Sequence, residues 1–159
     1  MRVGIGYDVH RFRDSGALRL GGIDITDAPQ LAGHSDGDAL IHAVIDALLG
    51  AAGEGDIGQH FPPGEPATAG IDSRELLTRV ARLLASRGLH VQNIDATVIA
   101  ERPRLAPHIA PMRESIAACL GVPASAVNVK ATTHERLGAL GSGEALAAMA
   151  VALLGDALP

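Results

Sequence analysis

The chain has no tryptophan, one tyrosine (Tyr7), two phenylalanines (Phe12 and Phe61), one cysteine (Cys119) and a single lysine (Lys130) among thirteen basic residues. Each scarcity removes a class of function. Aromatics at 2% and a net charge of −5 supply neither the stacking platforms nor the basic footprint of a general nucleic-acid binder. A lone cysteine forms no internal disulfide, which fits a reducing compartment, and Cys119 reads as a small core residue. No apolar run reaches the roughly 18–20 residues that span a bilayer. Met1 leads straight into a strand-like segment without a charged-then-apolar leader, so the expectation is a cytoplasmic protein with no membrane partner.

What is present suffices for one domain, 1–159. A chain of this length buries roughly 70% of the surface it exposes unfolded, so it needs neither disulfide nor structural metal for its core. In residues 2–10, Val3, Ile5, Tyr7 and Val9 share one face, and Gly4, Gly6, Asp8 and His10 the other, which is the period of a strand. Gly4 and Gly6 signal a bulge or a close backbone approach. A short strand around 17–20 follows a turn at Asp14-Ser15-Gly16, suggesting a hairpin with the first strand, interrupted at Gly21-Gly22.

Asp38 opens a helix with a stripe of Leu40, Val44, Leu48 and Ala51, closed by Gly53. Residues 53–71 read as a long loop. Asp72-Ser73-Arg74-Glu75 has the form of a capping box before a helix that ends at Gly88. A strand over 93–100, a helix reaching Leu120, a strand over 127–133 and an apolar helix over 144–154 complete the expectation. The fold class is α+β: a mixed four-stranded sheet with helices packed on one face.

Three constellations bear on chemistry. Asp8 and His10, two apart in a strand, point the same way, and His42 on the first helix can join them. Two histidines and a carboxylate with an open position describe a catalytic zinc site. Asp-x-His alone equally describes a hydrogen-bonded surface pair beside a helix-face histidine. Asp38, His42 and Asp46 share a helix face at four-residue spacing. Asp38 suits the cap, Asp46 suits either an exposed charge or a partner orienting His42, and Ser35, Gly37 and the helix N-terminus suit a phosphate. At the end of the 127–133 strand, Lys130, Thr132, Thr133 and Glu135 suit a diphosphate with a hard cation such as Mg²⁺, or form a plain polar strand end. Asp56 beside Gly58 can accept a sugar hydroxyl or be a solvated loop charge. Glycines 138, 141 and 143 make either a turn or an anion-ready helix start.

Five segments occur in order: Gly6-Tyr7-Asp8-Val9-His10, Gly33-His34-Ser35-Asp36-Gly37-Asp38, Gly55-Asp56-Ile57-Gly58, Asp72-Ser73-Arg74-Glu75-Leu76-Leu77, and Asn128-Val129-Lys130-Ala131-Thr132-Thr133-His134-Glu135. With them the chain resembles the 2-C-methyl-D-erythritol 2,4-cyclodiphosphate synthase family of the non-mevalonate isoprenoid pathway, from Met1 to the last element. The resemblance implies a homotrimer with active sites at subunit interfaces. It implies Zn²⁺ on Asp8, His10 and His42, and Mg²⁺ or Mn²⁺ on Glu135 with the substrate phosphates. It assigns transition-state stabilisation to His34 and Thr133. Substrate contacts fall to Asp8, Val9, His10, His34, Ser35, Asp56, Ile57, Gly58, Phe61 and Glu65. Ala100, Arg104, Leu105, Ala106, Ala131, Thr132, Thr133 and Glu135 supply the contacts on the cytidine diphosphate side. The implied activity is that of a CMP-releasing phosphorus–oxygen lyase. A metal-dependent phosphohydrolase would use the same ligands with an activated water, and a non-catalytic binding module would bind without turnover.

Overall fold

The computed structural model describes residues 1–156. Four strands form one sheet: β1 (Arg2–Arg11), β4 (Leu89–Ile99), β5 (Val127–Thr132) and β6 (Ala145–Asp156), in the order β1-β6-β4-β5. β6 runs antiparallel to both β1 and β4, whereas β4 and β5 are parallel, so the sheet is mixed. β2 (Leu18–Leu20) and β3 (Ile23–Ile25) form a separate two-stranded hairpin. Gly21 and Gly22 are its two-residue turn, both with positive φ (61° and 76°), as the tight turn between twisted strands requires. The expected hairpin with β1 does not form; the glycine pair turns the chain instead of interrupting a strand.

The helices are α1 (Ala39–Ala52), α2 (Ile57–His60), α3 (Ser73–Ser86), α4 (Ile109–Leu120) and α5 (Gly138–Gly141). α1 packs on β1 and β6, α4 on β5, and α3 touches both of these helices. α1 is buried nearly all round, more than its single apolar stripe suggests, because the sheet lies beneath it and α3 beside it. Asp38 caps it through the Ile41 amide, and Gly53 ends it in the left-handed region. Asp72 caps α3 through the Arg74 amide. The capping box stays open, since Glu75 pairs with Arg79 one turn on.

Gly4 and Gly6 set the depth at which α1 sits. A β-carbon on Gly4 would lie 2.1 Å from the Ala47 carbonyl oxygen, and one on Gly6 would lie 1.9 Å from that of Ala43. The helix therefore rests on the backbone of β1, and His42, one residue before Ala43, is brought down to the end of that strand.

The expected helix over 144–154 is the strand β6. Its alanine-rich run carries high helix propensity. In the sheet, however, it is hydrogen-bonded on both edges, and Leu146, Ala148, Ala150, Ala152 and Leu154 line the helix-covered face. Small apolar residues on both faces hide the alternation that marks a half-exposed strand. Glycines 138, 141 and 143 accordingly precede no long helix; they shape α5, a single turn.

Candidate metal centre

Asp8 and His10 project from the end of β1 toward α1, and His42 meets them from the helix. Asp8 Oδ2 lies 2.8 Å from His10 Nε2 and 2.9 Å from His42 Nδ1, and the two ring nitrogens are 3.3 Å apart. The edge of a tetrahedral ligand set with bonds of 2.0–2.1 Å is roughly 3.3 Å, so three ligand atoms at these separations fit around one divalent cation. Each ligand is aimed by a further contact. The Val9 amide donates to Asp8 Oδ1 at 2.9 Å, leaving Oδ2 for the cluster. His10 Nδ1 donates to the Ala32 carbonyl, which leaves the Nε2 lone pair facing inward. His42 Nε2 lies 3.0 Å from both the Ser35 and the Ser73 hydroxyl oxygens.

Burial resists ionisation of Asp8, but the adjacent His10 and His42 rings outweigh it and hold the carboxyl well below the usual range. The hydrogen bond to Asp8 in turn raises the pKa of His10 against the effect of burial.

The cluster is part of a cleft of about 240 Å³ lined also by His34, Ser35, Asp46, Ile57, Gly58, Phe61, Pro63, Thr68 and Leu76. The His34 ring reaches across it, with Nε2 3.2 Å from the Glu65 carbonyl and 3.3 Å from Thr68 Oγ1. Asp56 caps α2, its two carboxylate oxygens taken by the Gln59 amide and side chain, both at 2.9 Å. Asp46 does not orient His42. Its carboxylate accepts the Ile57 amide at 2.8 Å and ties α2 to α1, and burial raises its pKa. Nor is the N-terminus of α1 open to a phosphate. The fully buried Asp38 carboxylate fills it, accepting from the amides of Gly21, Gly22 and Ile41 at 2.6–3.0 Å.

The other anticipated residues lie at the carboxyl ends of β4 and β5. Ala100 is bonded through its amide to the Thr132 carbonyl, and Leu105 is buried. Ala106, Arg104, Ala131, Thr132, Thr133 and Glu135 are exposed. Thr133 Oγ1 lies 3.3 Å from the Glu135 carboxylate. Glu135 and Arg136 both have positive φ (50° and 61°), which non-glycine residues rarely adopt. Glu101 holds that turn, accepting the His134 and Arg136 amides on one oxygen at 3.0 and 3.1 Å. Lys130 is not in this group; its ammonium pairs with Asp95 on β4. None of these residues lines the cleft of the Asp–His–His cluster. β1 and β5 are at opposite edges of the sheet, three strand spacings or about 14 Å apart.

Residues 1–155 match the model of the YgbB family. The chain belongs to the YgbB family. It is 57% identical over 154 residues to the 2-C-methyl-D-erythritol 2,4-cyclodiphosphate synthase of Thioalkalivibrio sulfidiphilus, covering 97% of this chain and 96% of that one. It is 55% identical to the synthase of the same name from Pseudomonas aeruginosa, with 97% and 98% coverage. Among solved structures, the bifunctional IspDF of Campylobacter jejuni superposes with a TM-score of 0.94 at 38% identity, over 98% of this chain and 42% of that one. The CDP complex of IspF from Plasmodium falciparum gives 0.87 at 32% identity, covering 99% and 97%.

Within this YgbB chain, two residues at the cluster escape sequence reasoning. Ser73 stands in the sequence only as part of a helix cap, and Asp36 only as a member of the Gly33–Asp38 segment. They are 37 positions apart, and no periodicity links them; their contact with each other, and that of Ser73 with His42, exists only after α3 packs on α1. No helix among the described residues is long and apolar enough to cross a membrane.

Proposed function

We propose that the chain is a cyclodiphosphate synthase that converts 4-diphosphocytidyl-2-C-methyl-D-erythritol 2-phosphate to 2-C-methyl-D-erythritol 2,4-cyclodiphosphate and CMP, a step of isoprenoid precursor synthesis. The observation that carries this reading is the convergence of Asp8, His10 and His42 on one point in a cleft, in a chain 57% identical to a synthase of that name. An oxygen of the 2-phosphate attacks the β-phosphorus, the bond from that phosphorus to the bridging oxygen breaks, and the bridging oxygen departs with CMP. No water enters, which makes the class a phosphorus–oxygen lyase, and no side chain serves as nucleophile.

Asp8, His10 and His42 would hold Zn²⁺, and Glu135 beside Thr133 would hold Mg²⁺ or Mn²⁺ together with substrate phosphates. Bound there, the two cations neutralise the charge that spreads over the phosphoryl oxygens during transfer. The rest is positioning. His34 and Ser35, at the mouth of the cluster, hold the phosphates. Asp56, Ile57 and Gly58, with Phe61 and Glu65, hold the methylerythritol. Ala100 to Ala106, with Ala131 and Thr132, hold the cytidine. His34 and Thr133 face the transferring group. Holding a flexible chain in its ring-closing shape supplies the proximity advantage.

A homotrimer, in the cytoplasm, completes the reading. Val3, Ile5, Tyr7 and Val9 are exposed on the sheet face away from the helices, and Met149 and Val151 stand directly across from Tyr7 and Ile5. This apolar face supports contact between copies. Such contact supports assembly of the two separated residue groups from neighbouring chains. The test is turnover. The native chain should release CMP from the substrate with zinc bound, and His42→Ala should lose both the zinc and nearly all turnover while still folding. Full zinc content in His42→Ala would remove that residue from the centre.

A further inference from the structure

We propose that Ser73 and Asp36 are positioning residues that fix His42 as its Nε2–H tautomer and so keep the Nδ1 lone pair aimed at the point shared with Asp8 and His10. The proposal rests on the metal reading of that cluster and adds what aims its third ligand.

His42 is under two opposing demands. Its Nδ1 lies 2.9 Å from Asp8 Oδ2. Left to that contact alone, the ring would carry its proton on Nδ1 and donate to the carboxylate, and that tautomer has no lone pair to offer a cation there. The opposite nitrogen settles the matter. Nε2 lies 3.0 Å from Ser73 Oγ. The Ser73 hydroxyl donates its one proton to Asp36 Oδ1 at 2.5 Å, within the range of a charge-assisted bond. With that proton committed, the Ser73 oxygen presents only lone pairs to the ring, and only an Nε2–H can meet them.

The relay is built rigidly. Ser73 is fully buried at the first position of α3. Asp36 Oδ2 accepts the Ser73 amide at 2.9 Å, and Oδ1 also accepts the Asp38 amide at 3.2 Å. The Arg19 guanidinium lies 3.7 Å from Asp36 Oδ2. Ser35, also 3.0 Å from Nε2, has no acceptor for its own proton among the described residues other than that nitrogen. Its hydroxyl can turn either way, so it accommodates the tautomer without selecting it.

Two readouts on the full chain test this. One is zinc affinity by competition with a chromophoric chelator. The other is the nitrogen-15 NMR signature of the His42 ring in metal-free protein. Ser73→Ala should weaken zinc by roughly 10–100-fold, the usual effect of removing the partner that orients a ligand. It should also move the His42 proton from Nε2 toward Nδ1. Ser35→Ala should leave the tautomer unchanged. Native zinc affinity in Ser73→Ala, or an Nδ1–H ring in the native protein, overturns the proposal. The native spectrum needs no variant, so it decides the tautomer even if Ser73→Ala fails to fold. If the native chain takes up no zinc, the metal reading itself fails, and the NMR result alone judges the relay.

Discussion

Gly6 and Ala43 touch so closely that the space for a Gly6 side chain is already occupied: a β-carbon there would sit 1.9 Å from the Ala43 carbonyl oxygen. This contact, with its neighbour between Gly4 and Ala47, seats α1 on β1 and places His42 beside Asp8 and His10. The geometry of the centre thus depends on two residues without side chains.

Gly6→Ala should therefore act on both stability and metal. The obstacle is helix backbone and cannot rotate away, so the cost should be about 3 kcal/mol or more, at or beyond the top of the usual overpacking range. Zinc affinity should fall as His42 is lifted from its partners. Gly50→Ala is the contrast. Its nearest atom, the Ile5 carbonyl oxygen, is 3.9 Å away, and alanine favours the helix, so stability should rise by up to about 1 kcal/mol. Thermal unfolding and chelator competition on both variants check this; an undisturbed zinc site in Gly6→Ala would detach the glycines from the centre.

Asp38→Asn tests the buried cap. Both oxygens of Asp38 accept backbone amides, Gly22 on one and Gly21 and Ile41 on the other. An asparagine must turn its NH₂ toward one of these donors. Leaving a buried amide unpaired costs about 1–3 kcal/mol, readable by urea denaturation. Unchanged stability would mean the site has room to readmit water.

Much of this scaffold was legible from the residues. β1 showed its period because Gly4, Gly6, Asp8 and His10 alternate with apolar residues. The ends of α1 and α3 were marked by Gly53 and Gly88, both left-handed in the structure. β6 was not legible, because alanines at 145, 147, 148, 150 and 152 suit a helix locally and only pairing on both edges makes them a strand. At the centre, Asp8, His10 and His42 were readable by residue type and strand spacing. The role of Asp38 as cap was readable too, but not that its burial closes the helix end to ligands. The Asp36–Ser73 contact was invisible, being made wholly by tertiary packing.

Asp72 should make α3 acid-sensitive. Hydrogen bonds from Arg74, with the charge of Arg19, hold its pKa at about 2. The ionised form favours the fold, so its contribution is full above the ordinary carboxylate pKa near 4 and is lost as pH falls toward 2. Asp72→Asn keeps a capping oxygen but has no charge to lose. Between pH 5 and pH 2 the native protein should lose more stability than this variant. Equal losses in the two proteins would show that Asp72 does not carry the effect.

Glu101 should govern the Glu135 turn. Without its carboxylate the amides of His134 and Arg136 lose their acceptor, and the positive-φ conformation at Glu135 loses its support. Glu101→Ala should raise the Mg²⁺ concentration needed for half-maximal turnover by about tenfold, on the scale of one hydrogen bond to a charged group. Glu101→Gln, which retains an acceptor oxygen, should recover most of it. Zinc content should be native in both. A Mg²⁺ dependence indifferent to Glu101→Ala would separate this turn from the second cation.

The central claim is that the phosphate of the substrate itself, not water, attacks the β-phosphorus. The direct measurement is turnover in ¹⁸O-enriched water, with the products followed by phosphorus NMR and mass spectrometry. The account predicts CMP and a cyclic diphosphate in equal amounts, neither carrying ¹⁸O, and no product once zinc is stripped. An open-chain phosphate that has gained an ¹⁸O atom would make the chain a hydrolase and contradict the account.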